Sequence, residues 1–163
     1  MIVHKFGGTS VGDARRIAGV ADIVAQQHEQ TEAVAVVSAM SGVTNQLIAG
    51  ARAAAEGRDT AYRQAKADVL NRHLDVVETL LSHSLERLEL GGLIEDRLHE
   101  LGRLYRSIAI LGELTVRGCD TVAAFGEQLS VSILAAVLRE RGVRAQALNA
   151  TQLIVTDGNF GKA

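Results

Sequence analysis

The sequence predicts an α/β fold with a mainly parallel sheet, and three local patterns lead to this prediction. Residues 2–6 form one apolar run and Ala33–Val37 a second, and each run leads into a turn of small residues. Between the runs, apolar residues recur at helical spacing and predict an amphipathic helix from about Asp13 to Gln27. Its inward-facing residues are Ile17, Val20, Ala21 and Val24. Strand, crossover helix and strand together form a βαβ unit, which pairs its strands in parallel.

The second strand is apolar at every position from Ala33 to Val37. Such a run is typical of a strand that is covered on both faces, so we expect a helical layer on each side of the sheet. A further helix is predicted from about Thr44 to Glu56, with Gly57 as its stop.

The segment between Asp59 and Leu111 keeps a helical period and predicts two long helices. Gly91-Gly92 is the best break between them, although the boundary could lie anywhere from residue 82 to residue 92. Rows of leucine along these helices could form the core of a helical hairpin or a seam for a partner. The hairpin core is favoured, because such repeats usually bury within their own domain.

The last third of the chain begins with a predicted helix from about Asp120 to Arg141. A short strand at Arg144–Leu148 and a candidate strand at Leu153–Thr156 are predicted to follow it.

The composition of the 163 residues excludes several classes of function. Basic residues are spread through the predicted helices and aromatic residues make up 3%, so we expect no nucleic-acid partner. No apolar run approaching the roughly 20 residues of a membrane span is evident. Because the N-terminus begins with strand-like sequence that contains a histidine and a lysine, we expect no signal peptide. The single cysteine, Cys119, excludes an internal disulfide, fits a reducing cytoplasmic compartment and is expected to be a packing residue.

The first turn has the residues that a polyphosphate needs. Gly7 and Gly8 let the backbone approach a ligand closely, Lys5 supplies positive charge, and Thr9 and Ser10 add hydroxyls beside the start of the next helix. On these residues alone, an ordinary tight turn remains the alternative. The second apolar run leads into a similar turn, and in a parallel sheet both turns lie at the edge where ligands bind.

Three motifs resemble those of the aspartate kinases, a branch of the amino acid kinase family. They are Lys5-Phe6-Gly7-Gly8-Thr9-Ser10, Val37-Ser38-Ala39-Met40-Ser41-Gly42-Val43-Thr44-Asn45, and Phe125-Gly126-Glu127-Gln128-Leu129-Ser130. The resemblance implies a three-layer αβα sandwich with a helical insertion at about residues 59–112. An insertion of this size suits the lysine- or threonine-sensitive enzymes, and a fused homoserine dehydrogenase is left open.

The same resemblance implies a role for each matching residue. Lys5 would bind the transferring phosphoryl group. Hydrogen-bond donors for the ATP phosphates would come from Gly7, Gly8 and Ser10. The aspartate would be held by Ser38, Thr44 and Glu127, with Glu127 binding its ammonium group. The implied reaction transfers the γ-phosphoryl group of MgATP to the side-chain carboxylate of L-aspartate, giving 4-phospho-L-aspartate, and the protein itself holds no metal.

Glu127 follows Ala124, Phe125 and Gly126, and this small and apolar setting suggests a carboxylate inside a cleft. An exposed glutamate is the alternative that the residues alone would favour. The five histidines are scattered, and we expect them to be solvated instead of ligating a metal.

By resemblance, the chain is expected to be the N-terminal part of a catalytic domain, without the second phosphate loop and the regulatory domains. We therefore expect the chain alone to have little or no activity, and the full-length protein to be a homo-oligomer. Two alternatives stay open, namely another amino acid kinase and a noncatalytic structural or regulatory piece.

Overall fold

A computed structural model of the chain describes residues 1–155 and residue 160. Its elements are β1 (Ile2–Phe6), α1 (Ala14–His28), β2 (Ala33–Val37), α2 (Val43–Ala55), α3 (Asp59–Leu80), α4 (Ser84–Leu111), α5 (Val116–Glu140) and a short 3-10 helix (Ala150–Gln152). The βαβ unit is present, and β2 has the bounds that its apolar run predicts.

The two strands pair in parallel, with Ile2 beside Ala33 and Phe6 beside Val37. The amide of Ser38 extends this pairing by donating to the carbonyl oxygen of Phe6 at 3.0 Å. The first turn (residues 7–12) and the second turn (residues 38–42) therefore leave the same edge of the sheet side by side.

One face of the sheet packs against helices and the other face is open. Phe6, Ala33 and Ala35 contact the hydrophobic core, whereas Val34 and Val36 are 43% and 47% exposed. The prediction of a strand covered on both faces is wrong for the described residues, because α1 and α5 both pack on the same side of β2. The apolar residues on the other face of β2 are suited to contact a second helical layer, which the described residues do not form.

The two long helices α3 and α4 form the predicted hairpin. The boundary lies at residues 81–83, and Gly91 and Gly92 lie inside α4, so the preferred break was wrong. A glycine inside a helix costs about 1 kcal/mol relative to alanine, which is not enough to end a helix whose inward face is buried. That face confirms a core hairpin, because its residues are at most 6% exposed, namely Leu90, Ile94, Leu98, Leu101, Tyr105 and Ile108.

Helix α5 runs through the centre of the core and starts earlier than predicted. Its N-cap is Thr115, whose side chain accepts a hydrogen bond from the amide of Gly118 at 3.0 Å, so the helix begins at Val116 instead of Asp120. By length and composition, α5 is apolar enough to cross a membrane, which corrects the expectation that no such run exists. Most of that stretch is buried among the other helices, as in the core helix of a folded domain.

The two predicted C-terminal strands are not observed in the described residues. Arg144–Leu148 and residues 153–155 are irregular, and Thr156 lies outside the described residues. A strand needs a neighbouring strand for its backbone hydrogen bonds. The only sheet within the described part of the chain consists of β1 and β2, and neither segment pairs with it.

Candidate functional site

The first turn is a tight, glycine-rich loop at the end of β1. The amide of Ser10 donates to the carbonyl oxygen of Gly7 at 2.9 Å, and Arg16 Nη1 donates to the carbonyl oxygen of Thr9 at 2.8 Å. Lys5 is exposed, and its Nζ would lie 3.9 Å from a Cβ built on Gly7. The only cation of the predicted phosphate set therefore reaches over the turn itself.

The two turns are in direct contact at Gly8. A Cβ on Gly8 would lie 2.8 Å from the carbonyl oxygen of Ala39, which is closer than real Cβ atoms come to a backbone oxygen. Glycine is therefore required here by the close packing of the two turns. This contact places the first turn, whose residues are predicted to bind phosphate, beside the second turn, whose residues are predicted to bind the amino acid.

The second turn ends in a helix that no side chain caps. Gly42 is the N-cap of α2 with φ of 82°, a left-handed conformation that favours glycine, and it makes no side-chain capping bond. At α1, by contrast, the Asp13 carboxylate accepts from the amide of Arg16 at 2.9 Å. The positive end of α2 is thus the one left open to an anion, whereas α1 already has a carboxylate at its start.

The third motif packs against the second turn through another glycine. A Cβ on Gly126 would lie 2.6 Å from the Cβ of Ala39 and 3.4 Å from Val43 Cγ1. Gly8 and Gly126 thus both contact Ala39, so all three sequence motifs meet around one residue. Glu127, next along α5, is half-buried, so it lies neither in the core nor on a fully exposed face.

The side-chain groups that the sequence predicts for the site are unpaired within the described part of the chain. Among residues 1–155 and 160, no hydrogen bond or ion pair engages the Lys5 amine, the Ser10, Ser38 and Thr44 hydroxyls, or the Glu127 carboxylate. The set carries both charges, with Lys5 at the end of β1 and Glu127 on α5. Such a set can bind a ligand that carries phosphates, a carboxylate and an ammonium group.

The histidines and the cysteine do not form a second centre. No group of three or more histidine, cysteine, aspartate or glutamate residues that could hold a metal occurs in the described part of the chain. His73 corrects the expectation of solvated histidines, because it is fully buried and its Nδ1 lies 2.7 Å from the carbonyl oxygen of Val69. Burial lowers the pKa of this imidazole below its usual value. Cys119 is half-buried and free.

Two contacts near the site were not predicted from the sequence. The Tyr105 hydroxyl donates to the carbonyl oxygen of Leu47 at 2.7 Å and ties α4 to α2, and burial raises the pKa of that phenol. The guanidinium of Arg72, on α3, donates to the carbonyl oxygens of Ser41 and Gly12, each at 2.9 Å. Tyr105 stands out in the sequence only as a member of a helical apolar row, and nothing in the sequence distinguishes Arg72 from the exposed Arg63 of the same helix.

A glycine-rich turn and a second turn of small residues follow parallel strands beside a glutamate-bearing helix, and together they form one candidate ligand site. The model of the amino acid kinase family matches residues 1–162, and the chain belongs to that family. It is similar to the bifunctional aspartokinase/homoserine dehydrogenase 1 of Arabidopsis thaliana, with 36% identity over 94% of this chain and 16% of that protein. It is also similar to the lysine-sensitive aspartokinase 3 of Escherichia coli, with 32% identity over 100% of this chain and 34% of that protein.

The fold agrees with the sequence relationship. The structure of E. coli aspartokinase III in complex with aspartate and ADP superposes with a TM-score of 0.73 and 31% identity over 90% of this chain and 30% of that one. The predicted amino acid kinase fold is thereby confirmed, and the described residues contribute its parallel strands and one helical layer. The chain spans about a third or less of these relatives' length.

Proposed function

We propose that this chain supplies the aspartate side, and part of the phosphate side, of an aspartate kinase site. The observation that supports the proposal most strongly is the meeting of three motifs at Ala39, which Gly8 and Gly126 both contact. The unpartnered polar groups around this point match the charges of ATP and aspartate. The similarity to aspartokinases over nearly the whole chain favours aspartate over the substrates of other amino acid kinases.

In this proposal each motif has a distinct task. Lys5 offsets the charge of the transferring phosphoryl group, and the amides of Gly7 and Gly8 and the hydroxyl of Ser10 would donate to the ATP phosphates. Phosphoryl transfer to a carboxylate needs no general base, so catalysis depends on in-line positioning and charge compensation. Mg²⁺ would be bound by the ATP phosphates.

The amino-acid substrate would lie between the second turn and α5. Ser38 and Thr44 are half-buried beside the uncapped start of α2, where the helix dipole favours a carboxylate. Glu127 would take the ammonium group, and its half-buried position strengthens a charge-assisted hydrogen bond. The γ-phosphoryl group of ATP would then reach the side-chain carboxylate of aspartate across the contact between the two turns.

The wider predictions belong to the same proposal. The product, 4-phospho-L-aspartate, would serve the biosynthesis of lysine, threonine and methionine in the cytoplasm. The segment at about residues 59–112 would be an insertion in the catalytic domain, and the full-length protein a homo-oligomer with no nucleic-acid or membrane partner. Because the chain covers 16% to 34% of its relatives, we expect it to phosphorylate aspartate poorly or not at all by itself.

Calorimetric titration of L-aspartate into the chain tests the proposal, with L-glutamate as the control ligand and MgATP present or absent. We expect binding of aspartate that is lost in Glu127→Ala and kept in Glu95→Ala, a matched change at an exposed glutamate of α4. Equal binding of glutamate would favour another amino acid kinase. Folded chain that binds neither amino acid would contradict a preformed substrate side.

A noncatalytic role for the chain is the second candidate, and the observation that favours it is its partial coverage of the relatives. Aspartyl phosphate can be trapped with hydroxylamine as the hydroxamate. Aspartate binding without hydroxamate formation would support a substrate-binding piece without turnover. Rapid ATP-dependent formation would show that the described site is sufficient for catalysis.

A further inference from the structure

Arg72 lies on the helical hairpin, yet its guanidinium binds the two turns of the candidate site. Nη1 donates to the carbonyl oxygen of Ser41 and Nη2 to the carbonyl oxygen of Gly12, each at 2.9 Å. These carbonyls occupy equivalent places. Gly12 precedes Asp13, the N-cap of α1, and Ser41 precedes Gly42, the N-cap of α2. One planar cation therefore joins the same position at the start of both helices.

The placement of this cation is not explained by helix stabilisation. The start of a helix carries partial positive charge, so a cation there is unfavourable unless an anion is near. Asp13 supplies a carboxylate at α1, whereas no side chain caps α2, and no carboxylate pairs with Arg72 among residues 1–155 and 160. Such an arrangement suits a place that receives anionic ligands.

We propose that Arg72 is a positioning residue, which holds the first turn and the second turn at a fixed separation. The proposal rests on the proposed function, in which the first turn binds the phosphoryl donor and the second turn binds the acceptor. The rate of a reaction between two bound groups depends steeply on their separation, and a displacement of about 1 Å can cost about a hundredfold. The guanidinium restrains that separation, because its two donor nitrogens are held rigidly in one plane and each is bonded to one turn.

Amide hydrogen exchange of the chain, followed by NMR, tests this link. The reporters are the amide of Ser10, which bonds to Gly7, and the amide of Val43, which bonds to Met40, each at 2.9 Å. In Arg72→Gln we expect about tenfold faster exchange at both reporters, with no change at the core amide of Leu129. The control is Arg63→Gln, on the same helix, whose side chain is 65% exposed and pairs with Asp59. It should leave all three amides unchanged.

Addition of L-aspartate separates positioning from simple stabilisation. In the unmutated chain, aspartate should slow exchange at Val43 and also at Ser10, on the turn that does not bind it. Arg72→Lys keeps the charge but not the planar fork. We expect this variant to keep the effect of aspartate at Val43 and to lose it at Ser10.

The outcomes distinguish this proposal from the proposed function. Unchanged exchange at the reporters in Arg72→Gln, or an equal rise at Leu129, overturns the positioning role, as does full transmission of the aspartate effect in Arg72→Lys. If aspartate changes no amide of the unmutated chain, the proposed function fails for this chain. The ligand-free comparison of Arg72→Gln with Arg63→Gln then still decides whether Arg72 couples the turns.

Discussion

Replacement of Gly126 by alanine tests whether the meeting of the three motifs is as tight as the structure shows. The added Cβ would lie 2.6 Å from the Cβ of Ala39. Ala39 is 3% exposed and its carbonyl oxygen already lies against Gly8, so it has little room to withdraw. The matched control is Gly19→Ala in α1, where an added Cβ meets no atom within 4 Å.

Two opposing effects set the expected magnitude. Alanine in place of glycine inside a helix favours the folded state by about 1 kcal/mol, and this gain should appear in full at Gly19. Forcing a methyl group into a packed core costs about 1–3 kcal/mol, which should outweigh the gain at Gly126. We expect Gly126→Ala to be destabilised by about 1 kcal/mol and Gly19→Ala to be stabilised by a similar amount.

Urea unfolding followed by circular dichroism measures both variants. For a chain of this length, a change of 1 kcal/mol corresponds to a shift of about 2–4 °C in Tm, so thermal unfolding gives an independent check. The reasoning is refuted if Gly126→Ala is as stable as Gly19→Ala, because the two glycines would then be equally free of contacts. Weaker aspartate binding by Gly126→Ala would further connect this contact to the site.

Three other changes have outcomes that follow from single contacts. Tyr105→Phe removes the bond to the carbonyl oxygen of Leu47 and should lower the free energy of unfolding by about 1–2 kcal/mol in urea titrations; an unchanged midpoint would contradict a stabilising bond. Burial lowers the pKa of His73 in the folded chain, so as the pH falls this imidazole takes up its proton in the unfolded chain before it does so in the folded chain. The free energy of unfolding should therefore decrease as the pH falls below about 6.5, by at most about 1.4 kcal/mol per pH unit. His73→Leu should remove that slope and a change at exposed His99 should keep it, whereas equal slopes in all three proteins would argue against this origin. Asp13→Ala removes the N-cap of α1 and should cost about 1 kcal/mol, measured by thermal unfolding; a cost near zero would mean that solvent replaces the cap.

Helices were predicted from the sequence more reliably than strands, and the reason is physical. The inward face of α4 is specified by residues one turn apart, so its period is local and survives Gly91 and Gly92. A strand depends on a partner that sequence alone does not identify. Arg144–Leu148 has a suitable pattern but no neighbour in the described residues, and the apolar face of β2 anticipates a layer that is absent there.

In the candidate site, too, locally encoded features were predictable from the sequence and contacts with distant residues were not. Its turns are recognisable because glycine marks the places where the backbone must come close, as at Gly8 against Ala39. The roles of the surrounding polar residues came from a resemblance of motifs. Arg72 could not be identified in this way, because its importance lies in two backbone carbonyls that are distant from it in sequence.

The contact of Gly126 with Ala39 also has a consequence for the order of folding. It joins residues far apart along the chain, whereas α3 and α4 follow one another and can pair through local contacts. Closing a long loop is slow compared with forming a local hairpin. We therefore expect the hairpin to form before the transition state and the site to close after it. Substitutions at Gly126 should then change mainly the unfolding rate. A bound substrate would slow unfolding, because it would stabilise the contact between Gly126 and Ala39, which forms last.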